Sequence, residues 1–171
     1  MPYLQQDVAA WRWDGVQFRI LHPDPDPNTI NENNNSCVLL IEAANGERVL
    51  LPGDIEAAAE RDLIERYGSG LHSQTLIAPH HGSRTSSTSA FIAAVAPNDV
   101  LIPAGHRNRY HFPHPTITQR YQLAGIRQWQ TGDSGALHVQ LGEATPPQAP
   151  VAERQRNRRY WHNRVAVPPT R

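Results

Sequence analysis

The sequence predicts an α/β domain, a mixed sheet with helices packed outside it. Three observations lead there. Strand-like runs joined by short turns come first, the hydrophobic period then switches between two and about 3.6, and the later apolar runs are short and continuous. At 171 residues the chain is long enough for one domain with a real core. We place that domain at residues 1–145, followed by a Pro-rich linker and an Arg-rich, disordered tail over 146–171.

The elements follow in order. Val16, Phe18 and Ile20 alternate with polar neighbours, and Trp11 and Trp13 share their phase, so 11–21 reads as a strand or a hairpin across Asp14-Gly15. Prolines at 23, 25 and 27 and the Asn/Glu-rich chain to Asn35 make a loop. Cys37–Ile41 is a continuous apolar run, suited to a strand buried on both faces, and Cys37 is expected to be a buried thiol. Asn45-Gly46 is a hairpin turn returning the chain as strand Arg48–Leu51.

Ile55, Ala59, Leu63 and Tyr67 then recur every fourth residue, with Glu and Arg elsewhere. This predicts an amphipathic helix over 55–67 with Asp54 at its N-cap position. Strands at 75–78 and 100–102 flank a short helix at 89–95. Pro115 opens a helix to about Ala124, with Gly125 as its stop. A last hairpin is expected across Gly132-Asp133-Ser134-Gly135, between Trp129 and the strand at 136–141. That Gly-Asp-Ser-Gly run also flanks the nucleophile of trypsin-like proteases. Here it reads as turn chemistry, because no triad context supports it.

The formal charge of zero hides an asymmetry. There is no lysine, and residues 153–171 hold six arginines against Glu153 alone, a net +5, which leaves the rest at −5. An acidic body that can hold cations and a cationic tail suit a polyanionic substrate, although a tail of this kind also serves as a solubilising segment. No run approaches the ~18 apolar residues of a membrane span, and the start lacks a leader pattern. The chain is expected to be soluble, with no signal or span of its own.

Three clusters carry chemistry, and each stands directly after an apolar run. Asp54 follows Leu50-Leu51-Pro52-Gly53, where an acid suits either a helix cap or a metal ion. His80 and His81 follow Leu76–Pro79. On an extended chain their side chains point opposite ways, so one of them is the expected metal ligand and the other orients it or faces substrate. Ser83, Thr85, Ser86 and Ser87 come next, ahead of the helix at 89–95, either as an ordinary cap loop or as a phosphate-holding one. The third cluster, 104–115, offers His106, His111 and His114 with Arg107, Arg109 and Asn108, and its arginines could clamp a phosphate. Carboxylate oxygen and imidazole nitrogen are donors for Zn or Mn.

In their order, Asn35-Ser36, Leu51-Pro52-Gly53-Asp54, His80-His81-Gly82-Ser83, Asn108-Arg109-Tyr110 and His114-Pro115 resemble the C-terminal part of the metallo-β-lactamase-like domain of the ComEC family of DNA-internalisation proteins. The resemblance runs from about Trp11 to Leu141. It implies part of a four-layer αβ/βα sandwich with one or two Zn or Mn ions. Asp54 would bridge the metals, and His80, in preference to His81, would be a ligand. Catalytic or substrate-facing roles would fall to His114, Asn108, Ser83 and His81. The implied setting is a soluble, periplasmic or extracellular domain of a bacterial inner-membrane protein. Its partners would be DNA, single-stranded, with the membrane channel and the N-terminal half of the parent, and no small-molecule cofactor.

The family's His-x-His-x-Asp-His motif does not occur in the sequence. The chain alone is therefore expected to bind metal weakly or not at all. Two other functions fit the same residues: a metallo-hydrolase acting on another phosphodiester or on RNA, and a non-catalytic DNA-contacting module with an incomplete metal site.

Overall fold

The computed structural model describes residues 9–23, 31–142 and 149–160. Pro25 and Pro27, the linker prolines 146 and 147, and residues 161–171 of the expected tail lie outside them. Seven strands form one sheet in sequence order: β1 (Ala9–Trp13), β2 (Val16–His22), β3 (Val38–Glu42), β4 (Arg48–Leu51), β5 (Thr75–Ile77), β6 (Asp99–Ile102) and β7 (Arg127–Gln130). β1 to β4 pair antiparallel, β1 with β2 and β3 with β4 across short turns at Asp14-Gly15 and around Gly46, and β2 with β3 across the long connection 23–37. β4 to β7 are parallel, and a helix crosses over between each pair: α1 (Ala57–Tyr67), α2 (Ser89–Val95) and α3 (Pro115–Leu123). The mixed α/β class expected from the sequence is the one observed.

The helices share one face of the sheet. Leu40, Leu50, Leu76 and Val100, which are register neighbours across β3 to β6, pack in a single cluster with Ala59, Leu63 and Tyr67 of α1, Phe91 and Val95 of α2, and Ile117 and Tyr121 of α3. Each fully buried aliphatic side chain there contributes roughly 1.5–3 kcal/mol. Alternate residues point to the other face, where Leu101 and Trp129 pack with Ile77 and with Ala152.

Four local expectations are corrected. α1 starts at Ala57 with Glu56 at its N-cap, so Asp54 does not cap it and stays available. Glu60, one of the acids standing off the Ile55-Ala59-Leu63-Tyr67 stripe of that helix, is fully buried. Cys37 is exposed, because it precedes β3 and Val38 takes the buried position. The Gly-Asp-Ser-Gly run is no hairpin: it lies in a short helical turn, α4 (Thr131–Ser134), which Thr131 Oγ1 ties to the Ala104 carbonyl at 3.1 Å.

The strand expected at 136–141 shrinks to β8 (Leu137–His138). It pairs with β9 (Val151–Ala152) on the far side of the sheet instead of with the chain before it. The start of the expected tail is ordered as well, with α5 (Glu153–Arg156) following β9. Two causes are visible. Ala152 is buried against Leu101 and Trp129, and Arg154 donates to the Gly132 and Asp133 carbonyls at 2.5 and 3.2 Å. A cation beside the free carbonyls at the end of a helical turn is favourable, so this arginine joins the fold instead of the solvent.

Candidate metal and substrate site

Parallel strands put their carboxyl ends on one edge, and side chains that follow such ends collect there. The turn after β4 carries Asp54, the turn after β5 carries His80 and His81, and the chain after β6 carries the 104–115 loop. Two glycines hold these segments together. Gly53 has φ +62°, and a Cβ on it would sit 2.8 Å from the Ser36 Cβ; its carbonyl accepts from the His80 N–H at 3.0 Å. Gly82 has φ +82°, and a Cβ there would fall 2.7 Å from the Pro113 Cβ; its carbonyl accepts from the His114 N–H at 2.9 Å. Ser36 completes the stitch, its Oγ accepting from the Asp54 N–H at 3.1 Å.

The histidine pair is not extended. His80 and His81 have φ of +47° and +55°, both left-handed, a region costly for residues with a Cβ and one that collects at functional sites. The turn brings both rings to one side, their centroids 6.5 Å apart, which overturns the expectation that they point opposite ways. It also settles which imidazole meets which acid. His81 Nε2 lies 3.5 Å from Asp54 Oδ1, and both side chains are 45% exposed. His80 Nδ1 lies 3.3 Å from Glu56 Oε1, an approach without hydrogen-bond alignment.

Glu56 was not singled out from the sequence, yet it is the most tightly held acid at this edge. Asn31 Nδ2 and Thr85 Oγ1 donate to it at 2.8 Å, and Asn33 Nδ2 at 3.3 Å. Burial pushes its carboxyl up, but these hydrogen bonds and the neighbouring His80 outweigh that, so it sits below the ordinary 4.5. Beneath the 83–88 loop, Glu60 accepts from the Ser87 N–H at 2.5 Å and the Thr88 N–H at 2.8 Å. Ser87 Oγ and Tyr121 OH share a hydrogen bond of 2.8 Å, and the Arg120 guanidinium donates to the Ser87 carbonyl at 3.0 Å. Burial holds both the Glu60 carboxyl and the Tyr121 phenol above their ordinary values.

The other candidates have local partners. Ser83 Oγ meets Thr85 Oγ1 at 3.0 Å inside its own turn. His114 caps α3, its Nδ1 accepting from the Thr116 N–H at 3.3 Å. Asn108 folds its amide into the third loop, donating to the Gly105 and Phe112 carbonyls at 3.0 and 2.7 Å and accepting from the Phe112 N–H at 3.0 Å. Phe112 is thereby pinned edge-on to His80, centroids 5.7 Å apart, and near-parallel to His81, 6.5 Å and 25°. Tyr110 stacks on the far side of this series, 5.7 Å from Phe112 at 21°, with the Arg109 guanidinium 4.7 Å from its ring centroid.

Among the described residues no three His, Cys, Asp or Glu side chains gather as a metal shell. The Asp54–His81 pair does fit two corners of one. Bonds of about 2.0–2.2 Å in a tetrahedral shell separate neighbouring donor atoms by about 3.4 Å, close to the 3.5 Å observed. The donor types are those of Zn or Mn, so the residues present fit part of such a site.

The chain aligns with competence protein ComA of Neisseria gonorrhoeae at 40% identity over 132 residues, 77% of this chain and 19% of that protein. It aligns with ComE operon protein 3 of Bacillus subtilis at 35%, over 71% of this chain and 15% of that one. With recombination protein 2 of Haemophilus influenzae it is 33% identical over 75% of this chain and 16% of the relative. The chain belongs to the ComEC family. It spans less than a fifth of the length of these ComEC-family relatives. No family model matches it. Among solved structures, a candidate zinc-dependent hydrolase of the metallo-β-lactamase superfamily from Thermotoga maritima aligns with TM-score 0.39 and 16% identity, over 67% of this chain and 55% of that one. No helix among the described residues is long and apolar enough to cross a membrane.

Proposed function

We propose that this chain supplies part of a metal-dependent site that hydrolyses phosphodiester bonds of DNA during DNA uptake, on the strand that is not imported. The observation that carries the reading is the Asp54–His81 pair at the carboxyl edge of the parallel strands, held on a strained double-histidine turn. Names such as competence protein and recombination protein among the relatives support the DNA context.

In this reading Asp54 and His81 hold the metal, and His80, with its Nδ1 side against Glu56, offers its Nε2 as a further donor. The earlier preference for His80 as the partner of Asp54 gives way to His81, whose nitrogen is the one found beside that carboxylate. A bound divalent ion would lower the pKa of its water and offset charge on the phosphate. Arg107 and Arg109, on the adjoining loop, would hold phosphate oxygens. Asn108 keeps that loop in shape through its three backbone hydrogen bonds. The remaining ligands, the membrane channel and a periplasmic or extracellular setting belong to the longer parent.

Calorimetric titration with Zn or Mn tests the site. The chain should bind weakly, with two protein corners of the shell supplied, and Asp54→Ala and His81→Ala should each abolish what binding there is. Metal binding unaffected by both substitutions would sink the assignment. The absence of a three-ligand cluster among the described residues favours a second reading, a DNA-contacting module that works without metal. Salt-dependent DNA binding that persists in chelator, with no cleavage after the upstream part of a parent protein is restored, would select it.

A further inference from the structure

The side chains from His81 to Arg109 form a graded series. His81 lies beside Asp54, Phe112 lies near-parallel to His81, Tyr110 lies near-parallel to Phe112, and Arg109 sits over Tyr110. Centroid separations of 6.5 and 5.7 Å are those of interacting aromatic pairs. Exposure rises along it, from the half-exposed His81 to Tyr110, which is 60% exposed. The exposed ring is also fixed in place. Asn108 closes the loop on both sides of Tyr110, at Gly105 and at Phe112, and Arg109 donates to the Tyr110 hydroxyl.

A rigid, exposed aromatic ring with a guanidinium beside it, at the end of a stack that leads to a proposed phosphodiester site, has the makings of a base-stacking platform. We infer that Tyr110 is the seat of an unpaired nucleobase. The base takes the place that the Arg109 guanidinium now holds over the Tyr110 ring, at the outer end of the Tyr110–Phe112–His81 series, and Arg109 turns to the adjoining phosphate. A base inside a duplex is stacked on its own neighbours and has no free face to offer. The seat therefore selects single-stranded DNA or a frayed end, and it would do so by stacking rather than by sequence.

This inference rests on the proposed action on DNA, and its test separates the two. The probes are a fluorescent single-stranded oligonucleotide, the same strand with abasic positions, and its duplex. All are titrated against the full chain in chelator, so that metal plays no part. Tyr110→Ala should weaken binding of the base-bearing single strand on the order of 10- to 100-fold, and Tyr110→Phe should restore it, because the ring and not the hydroxyl makes the stack. Abasic and duplex probes should bind the wild type and Tyr110→Ala alike. An equal loss on all three probes would overturn the seat and make Tyr110 a support of the loop. Wild-type binding of the abasic strand as tight as that of the base-bearing one would also overturn it, leaving the hydrolase reading intact. Binding to none of the probes would overturn both.

Discussion

Glu60 and Asp54 lie close together in sequence, one in α1 and the other in the turn before it, and the structure treats them in opposite ways. Glu60 is fully buried, and both of its oxygens are taken by backbone N–H groups of the 83–88 loop. Asp54 is half exposed, with one imidazole at 3.5 Å. The first acid holds a loop down, and the second is held out by loops that are stitched to one another. Burial with full satisfaction marks a structural carboxylate, whereas a positioned but under-used one marks chemistry. Sequence alone offered Asp54 as either a helix cap or a metal ligand and gave Glu60 no role.

The largest effect should come from Glu60→Ala. It leaves two buried N–H groups without acceptors beneath the Ser87–Thr88 turn, and Arg120 without its nearby negative charge. A loss of about 3–5 kcal/mol in urea unfolding is expected. A loss under about 1 kcal/mol would end the distinction drawn between the two acids.

The pH dependence has a definite sign. Burial raises the Glu60 carboxyl above 4.5, so the folded state favours its protonated form. The stability of the wild type relative to Glu60→Gln is then greatest at acid pH. It should decline as pH rises through 4.5 and on through the raised value, because the folded state holds the extra proton. Denaturation midpoints of both proteins across that range check this, and a difference that grows with pH would contradict it.

Gly82→Ala should come next, at about 2 kcal/mol or more. It combines a left-handed φ with a Cβ 2.7 Å from that of Pro113, so the histidine turn and the third loop must part. Weakened metal binding should accompany the lost stability. The smallest effect on folding belongs to Asp54→Asn, within about 0.5 kcal/mol, as befits a half-exposed side chain with a single imidazole beside it. Its metal binding should nonetheless fall sharply. Parallel loss of fold and metal in this variant would make Asp54 a second Glu60.

Periodicity and turn chemistry made the elements legible. α1 was expected over 55–67 and found over 57–67, and the two hairpins of the antiparallel half follow from its two short turns, whereas the pairing of β2 with β3 does not. Glu60 was not legible, because an acid next to Ala59 on an amphipathic helix is normally at the solvent boundary. What buries it is a set of donors on a loop far along the chain. Asp54 and the histidine pair were visible as residue types after apolar runs. The left-handed turn at His80-His81 was not, and with it went the choice between the two rings. Glu56 left a signal that could have been used: it stands beside Asp54 and ahead of the helix, opposite an Asn-rich loop that supplies its donors. Six arginines at the C-terminus read as solvated charge, which overlooked Arg154, whose partners are carbonyl oxygens exposed by α4.

The sheet is laid down in the order of synthesis, every strand beside its predecessor. No strand therefore waits for a distant partner, and each parallel addition needs just one helical crossover of new chain, a topology that keeps the chain closure per step small. The sheet can grow outward from β1 as the polypeptide emerges. The exception is the acid at the head of β6. Asp99 is buried, and its partners, Trp129 Nε1 at 2.7 Å and the Arg127 guanidinium at 2.6 Å, both reside on β7. Until that strand is in place, the buried carboxylate of β6 lacks both of these side-chain donors.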